Sequence, residues 1–217
     1  MNTRGILWDL DGTLVDSAGD LIAAINHTLG AHHLPALGDA VVRARIGNGA
    51  EVLVRRCVEA AGGGYAPTHL EHFLVEYGAH VADRTVVFPP GLRSLLDRLD
   101  RLDRPMAVVT NKPEAATHAL LAALDLARYF PVVLGGDSTP TRKPDPGMLV
   151  AAMARLGVAD ADMVGDGDTD VAAGHAAGLR VIGVGWGIGD PSGADVRVET
   201  VADLERALAV PVSNRYP

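Results

Sequence analysis

The chain has 217 residues, of which 48% are hydrophobic and 21% charged, a profile that suits a globular protein with one sizeable core or a core plus a small second domain. A formal charge of −8 and the lack of any large Lys/Arg cluster argue against a nucleic-acid partner or an anionic membrane, both of which need a basic face. A single cysteine, Cys57, fits a reducing compartment, and with no signal-like segment and no membrane-length apolar run the expected location is cytoplasmic.

The first predicted element is a short apolar strand, Gly5-Ile6-Leu7-Trp8, that ends on two carboxylates, Asp9 and Asp11, followed by Gly-Thr. From about residue 17 to 86 the pattern turns helical. Leu21, Ile22, Ile25 and Leu29 mark one helix, residues 52–61 a second closed by Gly62-Gly63-Gly64, and residues 70–81 a third. From Pro89 onward strand and helix signals alternate, the pattern of a parallel sheet with helical crossovers. Leu92, Leu95, Leu96, Leu99 and Leu102 share a helical face, and "MAVVT" (106–110) reads as a buried strand. Pro113 is expected in the first turn of a helix carrying Leu120, Leu121 and Leu124. "PVVLGG" is a strand and its turn, and Asp145-Pro146 a helix cap with a first-turn proline. "DMVGDGD" is a strand ending in carboxylates, "DVAAGHAAG" a helix, "LRVIGVG" a further strand, and 201–210 an amphipathic helix. The fold class is therefore α/β, a Rossmann-like parallel-sheet core from residues 1–16 and 87–217 with an inserted α-helical cap at 17–86. An insertion after the first strand lies near the carboxyl ends of the strands, where such sheets bind ligands.

Strand ends deliver Asp9 with Asp11, Thr110 with Asn111, Lys143 in "TRKPDP", and Asp166 with Asp168 and Asp170. In a parallel sheet these groups converge on one edge. Two adjacent buried carboxylates are costly unless a cation or shared proton offsets them. Carboxylates with few other ligands suit a hard, water-retaining ion such as Mg²⁺, and a lysine with neutral donors suits a phosphoryl group. "DGDTDV" opens like a calcium loop, but Val171 and Ala177 stand where that loop needs glycine and glutamate. "GVGWGIG" misses the dinucleotide spacing at Ile188 and reads as a turn near the site. The histidines show no zinc-ligand spacing.

The four segments "DLDGT", "VVTNK", "RKPDP" and "VGDGDTD" resemble, in order, the motifs of the haloacid dehalogenase superfamily, over nearly the whole chain. The resemblance implies that Asp9 is a nucleophile forming an aspartyl phosphate and that Asp11 is a general acid and then base. It implies that Thr110, the backbone of Asn111 and Lys143 hold the phosphoryl group. Mg²⁺ would sit on Asp9, the carbonyl of Asp11, and Asp166, with Asp170 orienting Lys143. The second aspartate favours a phosphatase or phosphomutase, because an alkoxide leaves badly unless protonated. One departure is Gly167, where the family often has serine.

Selectivity must come from the insertion. "RIGNGAEVL" places Gly47, Asn48 and Gly49 at a helix start, whose free N–H groups suit an anion, although a plain helix-start turn explains them equally well. The stretch also looks like the cap segment of bacterial phosphoglycolate phosphatases, and Arg45 is the expected carboxylate partner. The partner expected is a small phosphorylated metabolite, with 2-phosphoglycolate foremost. The rivals are another small-metabolite phosphatase, a phosphomutase and a catalytically idle binding module.

Overall fold

The computed structural model describes residues 4–210. Its larger sheet has six strands, β1 (Gly5–Trp8), β4 (Met106–Val109), β5 (Val132–Leu134), β6 (Ala161–Gly165), β7 (Arg180–Val184) and β8 (Val196–Val198), in the order β5-β4-β1-β6-β7-β8. All its pairings are parallel, and β1 lies between β4 and β6 with Ile6 opposite Met106 and Asp162. The first strand is thus internal, which its unbroken apolar run requires. Residue alternation splits its side chains between two cores. Ile6 and Trp8 pack with leucines of α5 (Leu92–Arg101), α6 (Glu114–Ala123) and α9 (Val201–Ala207). Leu7 faces Met148, Leu149 and Ala152 of α7 (Gly147–Leu156) and Val171 and Ala173 of α8 (Asp168–Ala176).

Between β1 and β4 stand α1 (Ala18–Ala31), α2 (Asp39–Arg43), α3 (Ala50–Ala60) and α4 (Pro67–Ala79), which share a third core of Leu21, Ile25, Leu53, Val54, Cys57, Phe73 and Tyr77. A two-stranded antiparallel ribbon, β2 (Val15–Asp16) with β3 (Val86–Val87), joins the chain leaving the sheet to the chain returning. Asp20 reinforces that junction by accepting hydrogen bonds from the backbone of Arg84 at 2.9 Å and of Thr85 at 3.0 Å.

Several boundaries differ from the sequence expectations. Residues 52–61 begin their helix at Ala50, and 70–81 begin at Pro67, whose missing N–H costs nothing in a first turn. Pro113 and Pro146 precede their helices as caps instead of entering them. Asp145 caps from one residue further out, its carboxylate accepting from Gly147 N–H at 2.8 Å and from the Thr141 hydroxyl at 2.7 Å. The last helix stops at Ala207. The short elements β2, β3, α2 and β8 carry too few residues for a periodic signal. Among the described residues no helix is long and apolar enough to cross a membrane.

Candidate active site

The carboxyl edge of the sheet gathers the charged groups that the sequence scatters over 160 positions. Asp9 extends β1 by one residue, its backbone N–H bonded to the Val164 carbonyl at 2.9 Å. Lys143 Nζ reaches Asp9 Oδ1 at 2.7 Å, Asp170 Oδ1 at 2.7 Å and the Val109 carbonyl at 2.8 Å, so each ammonium proton has an acceptor. Asp166, at the end of β6, receives on one oxygen the backbone N–H groups of Ile188 (2.7 Å) and Gly189 (2.9 Å), and on the other the Thr13 hydroxyl (3.2 Å). These amides belong to the "GVGWGIG" turn, which thereby serves as the seat of Asp166.

Two glycines are required for this packing. Gly12 has φ +88°, and a Cβ on it would come within 2.3 Å of Asp166 Oδ2. A Cβ on Gly187 would lie 2.2 Å from the Asp166 Cβ. The glycine after the paired aspartates is therefore there to let one carboxylate pass beside the backbone of the other loop.

Oxygens of Asp9, Asp166 and Asp170 lie within 4.8 Å of one another, and all three residues are buried. Burial pushes the Asp9 carboxyl up to about 6 against the attraction of Lys143, with repulsion from Asp170 and Asp11 adding to the rise. Burial likewise raises Asp166 and Asp170. Burial alone would lower the Lys143 ammonium, but the attraction of Asp170 and Asp9 overrides it and holds it above the ordinary lysine range. Three carboxylates facing one ammonium leave an excess of negative charge that a divalent cation would neutralise. Asp170 already spends its oxygens on Lys143 and on Gly167 N–H at 3.0 Å. Asp9 keeps one oxygen without a hydrogen bond, and among the described residues no donor reaches the Asp11 carbonyl. An all-oxygen set of that kind fits a hard divalent ion.

Asp11 turns its side chain differently, toward Lys112 and Ser17. Lys112 Nζ donates to Asp11 at 2.9 and 2.8 Å, and the Ser17 hydroxyl donates to the same carboxylate. Burial opposes the Lys112 charge, yet the Asp11 carboxylate outweighs it and raises the ammonium above its usual range. Thr110, buried at the end of β4, accepts from the Lys112 backbone at 3.2 Å. Asn111 ties the helical unit to the lysine loop, its amide donating to the carbonyls of Gly47 (3.2 Å) and Lys143 (3.1 Å).

A cavity of about 60 Å³ opens between these groups and the helices, lined by Asp9, Asp11, Thr110 and Lys112 on one side and by Gly47, Gly49, Ala50, Phe73 and Tyr77 on the other. Arg45 is not brought to it. Its guanidinium folds back on the Val41 carbonyl and lines a separate surface groove with Arg56 and Glu59. Asn48 is also absent from the cavity lining, and Asp168 is exposed on the first turn of α8. Sequence reasoning missed Lys112, Ser17 and Tyr77. Lys112 stood inside the quoted "VVTNK", but nothing local distinguishes a buried lysine from a solvated one; Tyr77 fell inside the helix expected over 70–81 without being singled out.

The chain belongs to the haloacid dehalogenase-like hydrolase family, whose model matches residues 6–184. It resembles bacterial phosphoglycolate phosphatases: that of Escherichia coli strain K12 is 36% identical over 97% of this chain and 94% of its own length. The phosphoglycolate phosphatase of Pseudomonas fluorescens is 38% identical over 94% of this chain and 78% of its own. The crystal structure of a predicted phosphoglycolate phosphatase from Haemophilus somnus superposes with a TM-score of 0.86 at 29% identity, covering 95% of this chain and 98% of that one.

Proposed function

We propose that the protein is a Mg²⁺-dependent phosphatase that hydrolyses a small phosphate monoester, foremost 2-phosphoglycolate, through an aspartyl-phosphate intermediate, in the cytoplasm. The core (1–16 and 87–217) supplies the chemistry, and the helical unit (17–86) acts as its cap. The observation that carries the reading is Asp9, which lines the small cavity with Asp11, lies beside Asp166, and has one oxygen held by Lys143 at 2.7 Å while the other is left without a hydrogen bond among the described residues.

In this mechanism the free Asp9 oxygen attacks phosphorus, the ester P–O bond breaks, and Asp11 gives a proton to the departing alkoxide. Asp11 then takes a proton from water, whose oxygen attacks the phosphorus of the acyl phosphate, releasing phosphate and restoring Asp9. Mg²⁺ held by Asp9, the Asp11 carbonyl and Asp166 would screen the repulsion between carboxylate and phosphate dianion. Lys143 stabilises the charge that develops on the phosphoryl oxygens, as do the Thr110 hydroxyl and the Asn111 backbone. Lys143 also keeps Asp9 ionised and aimed, because Asp170 anchors the ammonium from the far side at 2.7 Å. The cavity is far smaller than the roughly 300 Å³ at which ordinary ligand pockets begin, which favours a short leaving group. The cap's contribution to selectivity comes from the residues that line the cavity, Gly47 and Gly49 of the turn among them, and not from Asn48 or Arg45.

The test is phosphate release from a panel of small esters, with Mg²⁺ and with a chelator, beside Asp9→Asn. The reading expects 2-phosphoglycolate to lead in kcat/KM and both interventions to abolish release. Turnover that survives Asp9→Asn would remove the nucleophile assignment.

A further inference from the structure

The cavity has a second electrostatic pole, built on the lysine that holds Asp11 and lying apart from Asp9 and Lys143. Among the described residues Lys112 is the only lysine or arginine lining it; Lys143 is not part of the lining. Its Nζ sits 4.7 Å from the centre of the Tyr77 ring, so a core cation and a cap aromatic meet across the cavity. The Lys112 ammonium has three protons and binds one carboxylate, Asp11, leaving at least one proton for a further acceptor. The Tyr77 hydroxyl is more unusual. The residue is 3% exposed and lines the cavity; with the Lys112 ammonium beside it, its oxygen makes no hydrogen bond of good geometry among the described residues, and its own proton has no acceptor. A buried hydroxyl without a partner costs on the order of 1–3 kcal/mol, so such a group in a binding cavity points to a ligand that completes it. The third contributor is the first turn of α3, an eleven-residue helix whose Ala50 lines the same cavity and whose first backbone N–H groups have no intrahelical acceptor.

We infer that Lys112, Tyr77 and the N-terminal turn of α3 form a second-anion subsite that takes the carboxylate of the leaving group, making Lys112 and Tyr77 the specificity-determining residues of the cavity. The inference rests on the proposed phosphatase reading for the place of the phosphoryl group at Asp9. It reassigns the part first expected of Arg45, whose guanidinium lies in another groove. A short ester with a terminal carboxylate meets a cation, a hydroxyl donor and a helix dipole at that pole. An ester of the same length ending in a methyl group leaves the Tyr77 hydroxyl unpaired, and discrimination follows from that loss. Apolar neighbours Leu53 and Phe73 keep the pole dry, which strengthens each of these contacts.

The experiment compares binding of two non-hydrolysable ligands to the full chain with Mg²⁺ present: 3-phosphonopropionate, isosteric with 2-phosphoglycolate, and propylphosphonate, which replaces the carboxylate by a methyl group. Calorimetry is run on the wild type, Tyr77→Phe and Lys112→Met, with thermal melts to verify folding. The expected result is about a hundredfold tighter binding of 3-phosphonopropionate by the wild type, a preference reduced about tenfold by Tyr77→Phe and abolished by Lys112→Met. Tyr77→Phe removes only a hydroxyl, so it reads the subsite even where loss of the Asp11 partner unfolds Lys112→Met. Equal binding of the two ligands by the wild type, or a preference that Tyr77→Phe leaves intact, overturns the inference. Failure of the phosphatase reading shows separately, as no phosphate release from 2-phosphoglycolate by the wild type whatever the phosphonate preference.

Discussion

Lys143 stands 2.7 Å from Asp170 and at that same distance from Asp9, so one buried ammonium is shared between a carboxylate that faces the cavity and one that does not. Removing the shared charge leaves two buried carboxylates to repel each other. Lys143→Met is expected to lower kcat on any phosphate ester by about 10²–10³-fold or more, the scale found for lost transition-state donors. It also destabilises the fold by about 3–5 kcal/mol, the usual cost of orphaning one side of a buried pair. Chemical denaturation beside steady-state assays separates the two effects.

The Asp9 carboxyl titrates near 6 in the metal-free fold because burial outweighs Lys143, whereas in the unfolded chain it titrates near 3.8. Between those values the folded state binds more protons than the unfolded one, so stability falls as pH rises from about 4 to 6 and then levels, by roughly 3 kcal/mol from this group. Metal-free Asp9→Asn lacks that loss. Its melting temperature should exceed that of the metal-free wild type at pH 7 and approach it at pH 4, as read by melts across a buffer series. A wild-type curve parallel to that of Asp9→Asn over this range would exclude the assignment.

Gly12 permits the Asp166 carboxylate to pass where a side chain would stand. Gly12→Ala puts a Cβ 2.3 Å from Asp166 Oδ2 at a backbone φ of +88°, so either the loop or Asp166 must move. The expected outcome is a loss of about 1–3 kcal/mol of stability and at least tenfold weaker activation by Mg²⁺. A Mg²⁺ activation curve that coincides with the wild type's would show that Asp166 tolerates displacement.

Asp20 accepts three hydrogen bonds at the junction of the helical unit and the returning chain, from Arg84 N–H, Thr85 N–H and the Thr85 hydroxyl. Asp20→Ala strands two of these donors in a buried setting and should cost about 2–4 kcal/mol. Asp20→Asn keeps an acceptor and should cost less than half as much. Urea midpoints at unchanged m-value measure both.

Cys57 is fully buried between helices, and burial pushes its thiol up to about 11. In the native protein it should resist alkylation at neutral pH and react only at the rate of unfolding, a behaviour that timed labelling with and without urea reports.

The sheet was legible because its strands are apolar runs that end on polar residues, a signal carried by each segment alone. Asp9, Thr110, Lys143 and Asp166 could be placed on one edge from topology without any contact being known. What stayed hidden were relationships between distant segments. Nothing near Lys112 says that it meets Asp11 across the sheet edge, and nothing near Tyr77 says that it lines a cavity. Arg45 illustrates the converse: a guanidinium next to a glycine turn is chemically suited to an anion, but a bond to Val41 one helical turn earlier faces it elsewhere. Residue 196–198 pairing depends on β7 offering an edge, which three residues cannot announce.

The order of these groups along the chain bears on synthesis at the ribosome. β1 emerges first, yet its neighbours β4 and β6 lie far downstream, and Asp166 is seated only when the amides of Ile188 and Gly189 arrive. Helices α1 to α4 close on their own apolar contacts and can fold while the sheet still waits for its strands. The helical unit can therefore form while β1 is still unpaired, and the seat of Asp166 is completed only once residues 188 and 189 have followed it.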